Sequence, residues 1–148
     1  MGIAERLDAD LKEALRSRDA LRTSTIRLAR AAIKNAEIDR RRPLRDDEVV
    51  AVLQHEVKRR REAIEGYERG GRDDLVQKEK LEMAILLGYL PPMLTEGEIA
   101  DLAREVASQV GASGERDFGR VMGQVMKRVA GRAEGRTVER IVREVLRG

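Results

Sequence analysis

The sequence predicts an all-α protein, with a four-helix N-terminal part followed by a small three-helix C-terminal domain. Three observations carry that expectation. Apolar residues make up 41% of the 148 positions and are almost all Ala, Val, Leu, Ile and Met, with only Tyr67, Tyr89 and Phe118 as aromatic rings. Charged residues are 39%, the mixture expected of helices with one buried and one solvated face. The apolar residues also recur at helical spacings, in stretches divided by Gly, Pro and Asp.

Ile3, Leu7, Leu11 and Leu15 recur every four residues and predict a first helix over about 3–17. Asp19 caps a second helix of about 20–41, whose stripe is Ile26, Ala29, Ile33 and Ala36 and whose stop is Pro43. Asp46 or Asp47 opens a third, with Val50, Leu53, Val57, Ile64 and Tyr67 inward, until Gly70-Gly71 ends it. A fourth starts near Asp73 and grows more apolar through Leu90, where Pro91-Pro92 halts it. Thr95 and Glu98 form a capping box before Ile99, Leu102, Ala103, Val106 and Val110. After the turn Gly111–Gly114, Phe118, Val121, Met122, Val125 and Val129 mark the sixth helix. Gly131 closes it, and Val138, Ile141, Val142, Val145 and Leu146 mark the seventh. The expected division is 1–90, a proline linker at 91–94, and 95–148, because the stripes restart after the diproline.

Composition excludes several chemistries. Without Cys there is no disulfide, thiolate nucleophile or Cys-ligated zinc, and His55 as the only imidazole rules out Ser-His-Asp and multi-His zinc designs. Three rings cannot form a stacking platform for single strands. Acidic pairs such as Asp46-Asp47 and Asp73-Asp74 read as helix N-terminal residues before they read as acid and base. No cofactor, metal or catalytic residue is expected. The N-terminus has no cationic segment followed by an apolar run, and no stretch approaches eighteen uninterrupted apolar residues, so the expectation is a cytoplasmic chain without membrane contact.

The net charge of +3 hides an uneven field: residues 1–42 hold 11 basic and 7 acidic side chains, 43–114 hold 10 and 15, and 115–148 hold 9 and 5. Within the last segment, Arg136, Arg140, Arg143 and Arg147 fall within roughly 60° of one another at about 100° per residue, opposite the apolar set. Arg116, Arg120 and Lys127 form a similar arc on the preceding helix, with Arg128 beside it and Arg132 in the turn between. Guanidinium forks match phosphate oxygens, so these nine residues are the candidate RNA-binding set; a merely solvated face is the alternative. Gly119 and Gly123 lie inside the sixth helix, each costing about 1 kcal/mol against Ala. With Gly131 and Gly135 they are candidate positions of close backbone approach, by a neighbouring helix in a small domain or by a ligand. Of the other basic runs, Arg40-Arg41-Arg42 suits a helix C-terminus, and Lys58-Arg59-Arg60-Arg61 must wrap a helix so that one member turns inward.

The segments Gly119-Arg120-Val121-Met122-Gly123 and Gly131-Arg132-Ala133-Glu134-Gly135-Arg136 occur together with Ala32-Ile33-Lys34-Asn35-Ala36-Glu37, Lys58-Arg59-Arg60-Arg61-Glu62-Ala63, Gly71-Arg72-Asp73-Asp74-Leu75-Val76 and Tyr89-Leu90-Pro91. In that combination the chain resembles the GatB/YqeY family over essentially its whole length. The resemblance implies a four-helix part and a smaller three-helix part. It also implies kinship with the tail of the B subunit of the tRNA-dependent amidotransferase, a tail that contacts tRNA away from the aminoacyl end. Carried over by position are Gly119, Met122, Gly123, Gly131, Arg132 and Gly135, with basic character at Lys127 and Arg136. Two positions depart from the pattern: Lys127 stands where many relatives have Pro, and Glu134 where Asp is usual.

The functional expectation is therefore a non-catalytic helical tRNA-binding accessory module, amidotransferase-like by resemblance and associated with carbon-nitrogen ligases that use glutamine as amido donor. The expected partners are tRNA or another structured RNA, and a translation-related protein. The alternatives are a helical protein-protein adaptor and a non-autonomous component of a glutamine-dependent amidotransferase.

Overall fold

The computed structural model describes residues 2–148. Among them are seven α-helices and one short 3-10 turn, with no strand: α1 (Ile3–Arg16), α2 (Ala20–Arg40), α3 (Asp46–Arg69), α4 (Asp73–Leu87), α5 (Glu96–Val110), the 3-10 turn (Glu115–Asp117), α6 (Phe118–Val129) and α7 (Gly135–Arg147). Contacts divide the chain into two compact units, Met1–Leu90 and Pro91–Gly148.

The helix limits follow from capping. The Asp19 carboxylate accepts the Arg22 N–H at 3.0 Å and opens α2. The Thr95–Glu98 box is closed in both directions, each bond 3.1 Å, and opens α5. Gly111, at φ +67°, ends α5 in the left-handed conformation that a Cβ disfavours. The fourth helix ends three residues short of the expected Leu90, because Tyr89 and Leu90 turn back to bond the carbonyls of Leu86 and Leu87. The 3-10 turn was not anticipated; it is stabilised where Asp117 accepts the Ser113 N–H at 2.9 Å.

In the first unit, Leu7, Leu11, Ile26, Ala29, Ile33, Val49, Leu53, Val57, Leu86 and Tyr89 form one buried cluster. Two inward assignments are corrected. Leu15 is 48% exposed while Ala14 is fully buried, because a strict spacing of four drifts by about 40° per step and position 14 lies nearer the stripe. Val49 takes the buried place expected for Val50. The second unit has its own cluster: Ile99, Ala103, Val106, Val121, Val125, Val129, Val138, Ile141 and Val142.

Each basic run in the first unit has a structural use. Glu48, almost enclosed, accepts from the Arg45 N–H at 3.0 Å and from Arg42 at 2.7 and 2.8 Å, and it also pairs closely with Arg40. These bonds tie the end of α2 to the start of α3. Arg60 is the inward member of the second run: it turns to α4, pairing with Glu79 at 3.1 Å and closely with Glu82. At the end of α4, the Tyr89 hydroxyl bonds Asp10 of α1, and Arg6 stacks over the Tyr89 ring at 5.0 Å.

The Arg42 hydrogen bond, followed by the Arg45 N–H, holds the Glu48 carboxyl well below the usual carboxylate range. Stabilisation by the ionised form is therefore complete above the unfolded value of about 4.3 and is lost as pH falls toward the lower folded value. Glu48→Gln should melt below the parent chain at neutral pH, and the gap should narrow in strongly acidic solution. A gap that stays constant with pH would disprove this account of the clamp.

Candidate nucleic-acid interface

The second unit carries the sequence-predicted basic residues, and its helices give them different surroundings. On α7, Val138, Ile141 and Val142 are buried, which turns the opposite side of the helix outward. Arg136, Arg140, Arg143 and Arg147 share that outer side and, with Glu139 and Glu144, line a shallow depression of about 280 Å³. The predicted stripe is thus one continuous row.

The row is not a set of bare charges. Arg140 reaches Glu96 at the start of α5 at 2.7 Å and Glu144 on its own helix at 3.2 Å. Arg143 pairs with Glu139 at 3.2 Å and lies over the Phe118 ring at 4.0 Å, and Arg147 pairs closely with Glu115. Bonds to Glu96 and then Glu144 push the Arg140 guanidinium further up. Arg136 has no polar or ionic partner among the described residues. The pairs are solvent-exposed, and exposed pairs contribute about 0–1 kcal/mol, so an incoming phosphate can displace the carboxylates at small cost.

The other members diverge. Arg116 donates to the Ser113 hydroxyl at 3.0 Å, and Arg120 pairs with Asp117 at 3.1 Å. Asp117 is itself held below its ordinary value, chiefly by the Ser113 N–H. Lys127 is exposed and without a polar or ionic partner among the described residues. Arg128 bonds the Gln109 side chain and lies 3.5 Å from Glu105, both on α5. Arg132 is structural in its contacts: its Nε donates to the Pro92 carbonyl at 2.9 Å, while its own carbonyl accepts the Leu94 N–H at 2.8 Å. Arg128 and Arg132 are therefore committed to α5 and to the segment before it, apart from the α7 row.

The glycines correct one reading. A Cβ built at Gly119, Gly123 or Gly135 would meet nothing within 4 Å, so no neighbouring helix explains them. Gly119 and Gly123, one turn apart, instead leave a smooth exposed strip on α6, with Met126 at its end. Gly131 serves a turn, at φ +79°. His55 is exposed on α3. Among the described residues, no group of three or more acidic or imidazole side chains is placed to hold a metal ion, and no helix is long and apolar enough to cross a membrane.

Of the four carboxylates set against the row, sequence reasoning found Glu139 and Glu144 flanking it and missed Glu96 and Glu115. The partners at spacing four, Glu139 with Arg143 and Glu144 with Arg140, were legible in the sequence. Glu96 and Glu115 come from distant segments, and only the packing of α7 against α5 and the 3-10 turn reveals them.

Comparison with known proteins places the chain. Residues 4–146 match the family described as Yqey-like protein. Altered inheritance of mitochondria protein 41, mitochondrial, of Eremothecium gossypii is 42% identical over 97 residues, which cover 64% of this chain and 53% of that protein. The protein of the same name from Pyrenophora tritici-repentis is 33% identical over 122 residues, covering 81% of this chain and 67% of its own length. The one from Lachancea thermotolerans is 36% identical over 96 residues, covering 63% and 51%. The chain thus spans between about half and two thirds of these relatives. The cytoplasmic expectation is overturned by them, since all three are named as mitochondrial proteins; the lack of a secretory signal pattern and of a membrane span, which prompted it, does not specify a compartment. With all but a few terminal residues matched, the chain belongs to the YqeY-like protein family.

Proposed function

We propose that this chain is a non-catalytic helical module that binds tRNA or another structured RNA through its phosphates. The observation that carries this reading is the α7 row, four guanidinium groups on one exposed helix face spanning about 16 Å at 1.5 Å per residue. Lys127 and Arg136, free of internal partners, add charge without first losing a carboxylate. Guanidinium groups on a rigid helix suit phosphate oxygens, and little base sequence would be read. The family resemblance supports the kinship with the amidotransferase tail. The same reading treats the two apolar clusters as the cores of a four-helix domain and a three-helix domain joined at 91–94. Any part in amide transfer would then lie in a complex, because the sequence has no P-loop and no glutaminase nucleophile.

The glycine strip on α6 gives the test. Gly119→Ala with Gly123→Ala should stabilise the second unit by about 1 kcal/mol per site, because Ala is the better helix former and each new Cβ enters open space. If an RNA backbone lies against that strip, the same pair should weaken binding of bulk tRNA by the purified chain. Higher melting with unchanged affinity would remove the strip from the interface; no tRNA binding by the parent chain at low salt would replace the RNA reading with the adaptor.

A further inference from the structure

A second basic row lies in the first unit, on α2, where no site was expected. Arg27 and Lys34, seven residues apart on α2, are brought by two helical turns to nearly the same side, about 10 Å from each other, and Arg41, seven further on, is the left-handed residue that caps the end of the helix. Arg30 stands between the first two. Arg27, Arg30 and Lys34 form one wall of a groove of about 490 Å³ between α1 and α2, with Ala4, Leu7, Ala31 and Ile33 along it.

The lining of this groove carries three cations against two carboxylates, a surplus of one positive charge. Its two carboxylates are already engaged: Asp8 pairs with Arg30 at 2.8 Å, and Glu37 accepts the Leu44 N–H at 2.9 Å. Arg27, Lys34 and Arg41 have no ion pair among the described residues, and all three side chains are exposed. The α7 row is the reverse case, since three of its four arginines hold carboxylates. Free cations in a row about 20 Å long need release no internal partner to take phosphates, and the row is too long for one small anion.

We infer that Arg27, Lys34 and Arg41, with Arg30 between them, form a second phosphate-binding row, so that the first unit also holds the backbone of the bound RNA. This rests on the reading of the chain as an RNA-binding module, and deepens it by making the contact bipartite. The two rows lie in different units, so their contributions are separable by substitution.

The experiment titrates bulk tRNA against the full chain at several salt concentrations. It compares the parent, Arg27→Gln with Lys34→Gln, and Lys127→Gln with Arg136→Gln. Losing two phosphate contacts on α2 should flatten the slope of log affinity against log salt by about 1.5 and cost roughly 10-fold in affinity near 0.15 M salt. The melting temperature should hold, because neither α2 side chain has an internal partner. In parallel, bound tRNA should protect Lys34 from an amine-acylating reagent while leaving exposed Lys12 on α1 reactive. Parent-like binding by the α2 variant, with Lys34 still reactive in the complex, overturns this inference and leaves the α7 reading standing. A loss confined to the α2 variant supports this inference and removes Lys127 and Arg136 from the contact instead. No binding of tRNA by any form overturns both.

Discussion

Arg60→Ala should destabilise the first unit by about 3 kcal/mol or more, the usual cost of leaving one member of a buried ion pair without its partner. The Arg60 side chain is only 11% exposed, against 8% for Glu82 and 20% for Glu79, so α3 and α4 meet over charges that water barely reaches. With Arg60 gone, Glu82 retains, among the described residues, only Lys78, 4.0 Å away and itself open to solvent. Arg60→Met keeps the aliphatic stem yet should lose nearly as much, which separates charge from packing. Arg60→Met with Glu82→Met should recover most of the loss, because an apolar pair of similar volume often replaces a buried ion pair without penalty. Urea unfolding reads all of these as midpoint shifts at constant slope. A loss under about 1 kcal/mol for Arg60→Ala would mean that Glu82 is hydrated and the α3–α4 contact is apolar in origin.

The second large effect is on RNA affinity. Neutralising Arg136, Arg140, Arg143 and Arg147 together, each to Gln, should lower tRNA affinity by about 10- to 100-fold near 0.15 M salt, since each lost phosphate contact forfeits the release of a condensed counterion. Neutralising Lys12 and Arg16, two exposed cations on α1, should cost much less per charge removed. The folded state should be modestly affected. Arg140 and Arg147 leave only exposed carboxylates behind, while Arg143 also loses its stacking on Phe118, a contact of about 0.5–1 kcal/mol at an exposed site. Reversal to Glu is a poorer test than neutralisation, because it would set like charges beside Glu96, Glu139 and Glu144. Equal losses per charge removed in the α7 and α1 variants would reduce the row to a solvated face.

Much of the fold was legible because its boundaries are written in local chemistry. Asp19, the Thr95–Glu98 box and Gly111 act on backbone groups within a few residues, and each ends or starts a helix where its chemistry requires. The misses arise where a second element decides. Ala14 rather than Leu15 faces inward because the packing surface follows the true helical period, and α4 stops short of Leu90 where Tyr89 and Leu90 turn back onto the Leu86 and Leu87 carbonyls and Tyr89 meets Asp10 and Arg6 of α1. The candidate interface divides in the same way. That four arginines share one face follows from spacing alone, but their carboxylate partners Glu96 and Glu115 are remote in sequence. So is the diversion of Arg128 to α5 and of Arg132 to Pro92. The α2 row went unnoticed because its significance depends on which carboxylates are already engaged, and pairing is a property of the fold. The expected location failed for a different reason: it rested on the lack of a secretory signal pattern and of a membrane span, and neither specifies a compartment.

Salt dependence of tRNA binding by the intact chain tests the RNA reading most directly. With roughly 3 to 5 phosphates neutralised by the α7 row and its free neighbours, log affinity should fall against log salt with a slope of about −2 to −4, and engagement of the α2 row should steepen it. Binding should be nearly indifferent to base sequence. A slope near zero, or no measurable binding at low salt, would contradict the account and leave the basic rows as ordinary solvated helix faces.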